Sequence, residues 1–163
     1  MSHSAIQRRI DATVTRASAS GRDISASAGT VVPFDSFTDL VGGAASSYSV
    51  SSGVITLSSG YWYLIKGSMQ ARFTTGVFSG HVKYIWQDDS DDSDLGRRGT
   101  LIMQEQSQLF GGDEVAVALI DATSSSLDVK LVIQSINSVV SINNDTEQRV
   151  AGWIRAEMWR FTG

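Results

Sequence analysis

The sequence predicts an all-β domain, an antiparallel sandwich or barrel of eight to ten strands, and three observations carry that reading. The first is the stretch Tyr61–Phe73, where Tyr61, Tyr63, Ile65, Gly67, Met69, Ala71 and Phe73 alternate with Lys66, Ser68, Gln70 and Arg72. A pleated strand sends successive side chains to opposite faces, so a period of two marks one face in a core and one mostly wet. The second is recurrence: short alternating runs separated by Gly, Ser, Asn and Asp follow one another along the chain, as in antiparallel all-β domains. The third is the near absence of sustained helical stripes in a chain with one proline and 15 glycines.

Taken in order, Thr30–Phe34 reads as a first strand, with Pro33 suited to an edge or strand end. A Gly-containing loop leads to Tyr48–Val50, and Ser51-Ser52-Gly53 turns into Val54–Leu57. Gly60 then opens the long strand, whose first third is apolar on both faces because of Trp62 and Leu64. His81–Gln87 is the next strand, followed by an acidic loop and Gly99–Gln104. After a Phe110–Asp113 turn, Glu114–Ile120 alternates, and Val115, Val117 and Leu119 are expected to point inward. Leu127–Gln134 places Leu127, Val129, Leu131 and Ile133 on one face, and Ser138–Ile142 is a weaker strand. In Val150–Phe161, Val150, Ile154, Ala156 and Met158 alternate with Trp153, Arg155, Glu157, Trp159 and Phe161.

Residues 1–29 differ from residues 30–163, which form the predicted domain. They carry Arg8, Arg9, Arg16 and Arg22 against Asp11 and Asp23, a local +2 within a chain of net charge −4. Ile6, Ile10 and Val14 recur every four residues, a narrow stripe for a short helix, and Ser/Ala/Gly linkers follow. The segment is expected to be a flexible or partly helical arm. It is either a disordered tail or an anchor whose Ile6, Arg8, Arg9, Ile10, Val14 and Arg16 order on a larger assembly.

Composition excludes several functions. At 163 residues the chain forms one domain with its own core. Its net negative charge argues against nucleic acid as a main partner. There are no cysteines for disulfides or thiolate metal sites. No apolar run is long enough for membrane insertion, and the N-terminus lacks the apolar core of a signal peptide, so synthesis in a cytoplasm is expected. His3 and His81 are the only histidines, with no metal-hydrolase spacing around them, and no serine lies in Gly-x-Ser-x-Gly. A non-enzymatic protein requiring no cofactor is the expectation.

Two clusters are candidate binding sites. Asp88, Asp89, Asp91, Asp92 and Asp94 place five carboxylates in seven residues. Such a loop supplies oxygen ligands for calcium, although Asp94 and Thr100 stand where the helix–loop–helix calcium motif requires Gly and Glu. A solvated charged loop and a contact with Arg97 and Arg98 are the alternatives. Tyr84 and Trp86, beside this loop, are candidates for stacking on a host-surface glycan, unless they fill the core.

The order of several motifs resembles a known family. Gly53-Val54, Gly60-Tyr61 and Gly112-Asp113-x-Val115, with Gly99–Met103 between and an aromatic-rich final strand, match the pattern of the complement globular-head and tumour-necrosis-factor superfamily over residues 30–163. The final strand departs from that pattern, being Trp153–Trp159 in place of a Phe-Ser-Gly-rich ending, and no collagen-like stalk precedes the domain. The resemblance implies a jelly-roll β-sandwich and a tight homotrimer. Trp62, Leu64, Trp153, Trp159 and Phe161 are then the candidate trimer interface, which accounts for apolar residues on a second face. A cysteine-free domain of this kind with a basic arm also resembles small bacteriophage virion proteins. The implied role is a capsid-decoration or fibre protein attached to phage capsid or tail proteins by its arm. The alternative is the receptor-binding head of a tail fibre, assisted by calcium.

Overall fold

The computed structural model describes residues 6–13, 23–25, 27–34, 36–39, 48–68, 71–73, 80–103, 114–136, 140–143 and 155–161. Thirteen strands cover most of them: β1 (Ile6–Thr13), β2 (Asp23–Ser25), β3 (Ser36–Asp39), β4 (Tyr48–Ser51), β5 (Val54–Leu57), β6 (Tyr61–Ser68), β7 (Ala71–Phe73), β8 (Gly80–Asp88), β9 (Asp94–Met103), β10 (Ala116–Ala122), β11 (Leu127–Ile136), β12 (Val140–Asn143) and β13 (Arg155–Phe161). No helix occurs among the described residues. Ten strands form one sheet in the order β3-β1-β13-β6-β10-β9-β8-β11-β5-β4, and β2-β12-β7 form a second. Every strand pair in the two sheets is antiparallel.

The large sheet curls over a single core. In a flat sheet, the four intervals from β6 to β11 at about 4.8 Å each would separate the two strands by roughly 19 Å. Instead, a Cβ added at Gly67 on β6 would lie 2.9 and 3.0 Å from the methyls of Leu131 on β11, and 3.1 Å from Cζ2 of Trp86 on β8. The two walls therefore meet face to face, and at Gly67 the approach leaves no room for a side chain. Buried Tyr63, Ile65, Tyr84, Trp86, Leu101, Val129, Leu131 and Ile133 fill the space between them. Phe34 stacks on Trp86 with ring centroids 6.2 Å apart.

Several expectations are met and several are corrected. The inward faces of β6 and β11 are those the period of two assigned, with Tyr63, Ile65 and Gly67 buried on one and Val129, Leu131 and Ile133 on the other. Thr30–Phe34 is not a full strand. Val31 makes an isolated bridge to Val132, and Val32 and Phe34 are buried beside the edge of β11. The alternation of Tyr61–Phe73 is split between β6 and β7, which lie in different sheets.

Residues 6–13 are a strand, where a short helix or free arm was expected. β1 pairs with β13 and β3 inside the large sheet. The register is interrupted between Ile6 and Arg8, so that Ile6 stands opposite Phe161 and Ile10 opposite Met158, and the four-residue spacing that suggested a helix does not persist as one face of the strand. Val14 and Arg16 lie outside the described residues, as does the Phe110–Asp113 turn.

The clearest correction concerns β10. Ala116, Ala118, Ile120 and Ala122 point inward, while Val115 is 40% and Leu119 65% exposed. The interior beside β10 is crowded. A Cβ added at buried Gly99 would collide with the Tyr84 ring and the Ala116 nitrogen. Only small side chains fit along most of that wall, so the larger aliphatics at 115, 117 and 119 take the other parity.

Candidate self-association face and polar cleft

The reversal of β10 creates an apolar strip on the outside of the large sheet. β6 lies between β13 and β10, and directly opposed residues in an antiparallel pair share a face. The register sets Phe161 opposite Trp62 and Trp62 opposite Asp121. The next row runs Arg9, Trp159, Leu64 and Leu119 across four strands. The row after that holds Glu157, Lys66, Val117 and Arg97. Trp62 and Leu64 are half-buried, since the even positions of β6 face away from the core.

Four of the five sequence-predicted interface residues thus fall in two adjacent rows, although β6 and β13 are about ninety residues apart in sequence. Trp153 lies outside the described residues. Leu119 was assigned to the core by sequence, and it becomes the most exposed large hydrophobic residue of those described. Charged residues border the strip, with Lys66 opposite Glu157 and Arg97 paired with Glu114 at one end and Asp121 at the other. Of the candidate attachment residues, Ile6, Arg8, Arg9 and Ile10 are placed on β1, opposite Phe161, Arg160, Trp159 and Met158.

The other sequence candidates resolve differently. Tyr84 and Trp86 are both 0% exposed, which corrects their assignment as a stacking platform for a ligand. They sit on the inward parity of β8 with Val82. The Tyr84 hydroxyl donates to the Glu114 carbonyl at 2.7 Å, tying β8 to the entry of β10.

The acidic loop is built into the fold by protein partners. Asp88 accepts from the Ser90 backbone N–H at 2.8 Å and its hydroxyl at 2.6 Å. Asp91 accepts from the Ser93 N–H, and bonding to Ser93 lowers its pKa below the ordinary carboxylate value. Asp89 and Asp92 both pair with Lys130 on β11, whose side chain is only 13% exposed. Asp92 and then Asp89 raise the pKa of that ammonium above its ordinary value. Asp94 accepts from Gln87 Nε2 on one oxygen at 2.9 Å and from Gln134 Nε2 on the other at 2.8 Å. All five carboxylates are therefore engaged. Among the described residues, no group of three or more His, Cys, Asp or Glu is placed to hold a metal ion. Arg97 pairs with Glu114 at 3.1 Å, away from the loop it was offered to.

Sequence gave no sign of Lys130, Gln87 and Gln134 as a unit. They line a cleft of about 350 Å³ with Asp92, Val31 and Val132. Their only sequence signature is a polar residue on the outward parity of two largely apolar strands, a parity that also carries Ile85 and Val132. No helix among the described residues is long and apolar enough to cross a membrane. No family model matches the chain, and no curated protein matches it.

Proposed function

We propose that the chain is a non-enzymatic structural protein that assembles as a homotrimer through the outer face of β13, β6 and β10, as a decoration or fibre component of a bacteriophage particle. The observation that carries the reading is the parity of β10, with alanines turned inward and Leu119 outward beside Leu64 and the Trp159 position. An exposed leucine beside half-buried Trp62 and Leu64 on the outside of a sheet supports an interaction surface there. The occupant that fits best is a second copy, whose own β6–β10 face presents the same row of Leu64 and Leu119. The resemblance to trimeric jelly rolls supplies the number three.

Ile6, Arg8, Arg9 and Ile10 belong to β1, so docking to a particle would involve a strand paired between β3 and β13 instead of a loose arm. The chain has no cysteine, which makes a single thiol diagnostic. Leu119→Cys treated with a short trivalent maleimide is expected to give a covalent trimer. Asp128→Cys, exposed on β11, is expected to give none. Monomer alone from Leu119→Cys would overturn the interface. Quantifying the chain in purified virions tests the particle assignment, and its absence from them would refute that part.

A further inference from the structure

We infer that the cleft between β8, β11 and the 29–31 segment is a binding site for a neutral saccharide. The site is built on the outward parity of two central strands, with Gln87 opposite Lys130 in the β8–β11 register. Its volume of about 350 Å³ falls in the range of small-ligand sites.

The side chains specify the ligand class. Asp94 holds both glutamine amides in place through one N–H of each. Each amide then has a second N–H and a carbonyl oxygen with which to meet hydroxyl groups. Lys130 gives two of its three donors to Asp89 and Asp92, whose two carboxylates outweigh its single positive charge. An anion therefore finds no unanswered cation, and a metal ion finds carboxylates already engaged. A purely apolar ligand would strip water from two amides, an ammonium and a carboxylate without replacing their hydrogen bonds. A polyhydroxylated ring satisfies donors and acceptors together, and its C–H face suits Val31 and Val132. The polar groups are preorganised by one another, which limits the ordering cost of binding.

The position favours recognition of a surface. β6 and β11 confront one another across the core, so their outer faces look in opposite directions. Association through the β6–β10 face leaves this cleft outward on every copy. Weak single sites repeated on one particle bind a glycan-coated surface with gained avidity. The site itself does not depend on the trimer, and its test is independent of the oligomeric state.

The experiment is a titration of the isotopically labelled full chain with methyl α-D-glucopyranoside, methyl β-D-galactopyranoside and N-acetyl-D-glucosamine at tens of millimolar, followed by proton–nitrogen correlation spectra. At least one sugar is expected to shift the side-chain amides of Gln87 and Gln134 and the backbone amide of Gly29. Glucose 6-phosphate is expected to shift them several-fold less. Gln134→Leu, checked for an unchanged fold by its remaining spectrum, is expected to abolish the shifts. Where that variant misfolds, Gln87→Leu takes its place. No shift with any of the three sugars, shifts confined to other residues, or shifts that survive the variant would each overturn the assignment.

Discussion

Replacing Gly67 with alanine tests the curl of the sheet, because the new methyl enters the contact between its two walls. The added Cβ would lie 2.9 and 3.0 Å from Leu131 and 3.1 Å from Trp86, closer than carbon atoms ordinarily pack. Leu131 and Trp86 are both fully buried, and Trp86 is stacked on Phe34, so neither recedes freely. Overpacking of this kind costs about 1–3 kcal/mol. Removing a flexible glycine from a strand returns about 0.5–1 kcal/mol. The net expectation is a destabilisation of up to about 2.5 kcal/mol, or a fall in Tm of up to roughly 10 °C at this chain length. The assay is urea and thermal unfolding of a double-mutant cycle with Leu131→Ala. That change alone leaves a cavity and costs about 2–5 kcal/mol. In the double variant the new methyl occupies part of the cavity, so the two penalties should sum to less than their separate values by about 1 kcal/mol. Gly60→Ala is the control. Gly60 has φ +92° but nothing within 4 Å of an added Cβ, so its cost is backbone strain and adds to that of Leu131→Ala. A neutral Gly67→Ala that is additive with Leu131→Ala would refute the facing of β6 and β11.

Other consequences can be measured on the same protein. Lys130→Met should lower Tm at neutral pH by unpairing Asp89 and Asp92. Because the folded-state pKa of Lys130 is raised, the pair's contribution is fully present below the ordinary lysine value and disappears as pH rises through the folded value. The gap between wild type and variant should therefore close at alkaline pH. Asp91 and Asp121 have lowered pKa values through bonding to Ser93 and Thr123, so their contributions hold above the ordinary carboxylate pKa and are lost as pH falls through the folded values. Asp121→Asn should flatten the acid limb of the stability profile. Tyr84→Phe removes the hydroxyl that donates to the Glu114 carbonyl and should cost about 0.5–1.5 kcal/mol in urea unfolding. Calcium or a chelator should leave Tm unchanged, since the loop carboxylates already have protein partners. A calcium-dependent rise would mean that the loop exchanges Lys130 for the ion.

What was legible in the sequence was local. Period two is a property of neighbours, so β6, β8 and β11 and their inward residues could be read from alternation. Parity in β10 was not legible, because both parities are apolar and Val115, Val117 and Leu119 outrank alanines on hydrophobicity. The decision was made by Gly99 and Tyr84, whose crowding of that wall is tertiary. The acidic loop was conspicuous, but its lysine lies 38 residues from Asp92 and its second glutamine 40 from Asp94. The alternation Val82, Tyr84, Trp86 already pointed to the core, and the charged loop beside them suggested an exposure they do not have. Trp62 and Leu64 were noted as apolar on the wrong face of β6, and register alone brought Trp159 and Phe161 beside them.

The most direct test of the central claim is the solution mass of the full chain and of Leu119→Asp, by light scattering coupled to size exclusion. The account predicts three times 17.5 kDa for the wild-type protein and a folded species of 17.5 kDa for the variant. A wild-type protein that is monomeric throughout the accessible concentration range, or a Leu119→Asp variant that remains trimeric, would contradict it.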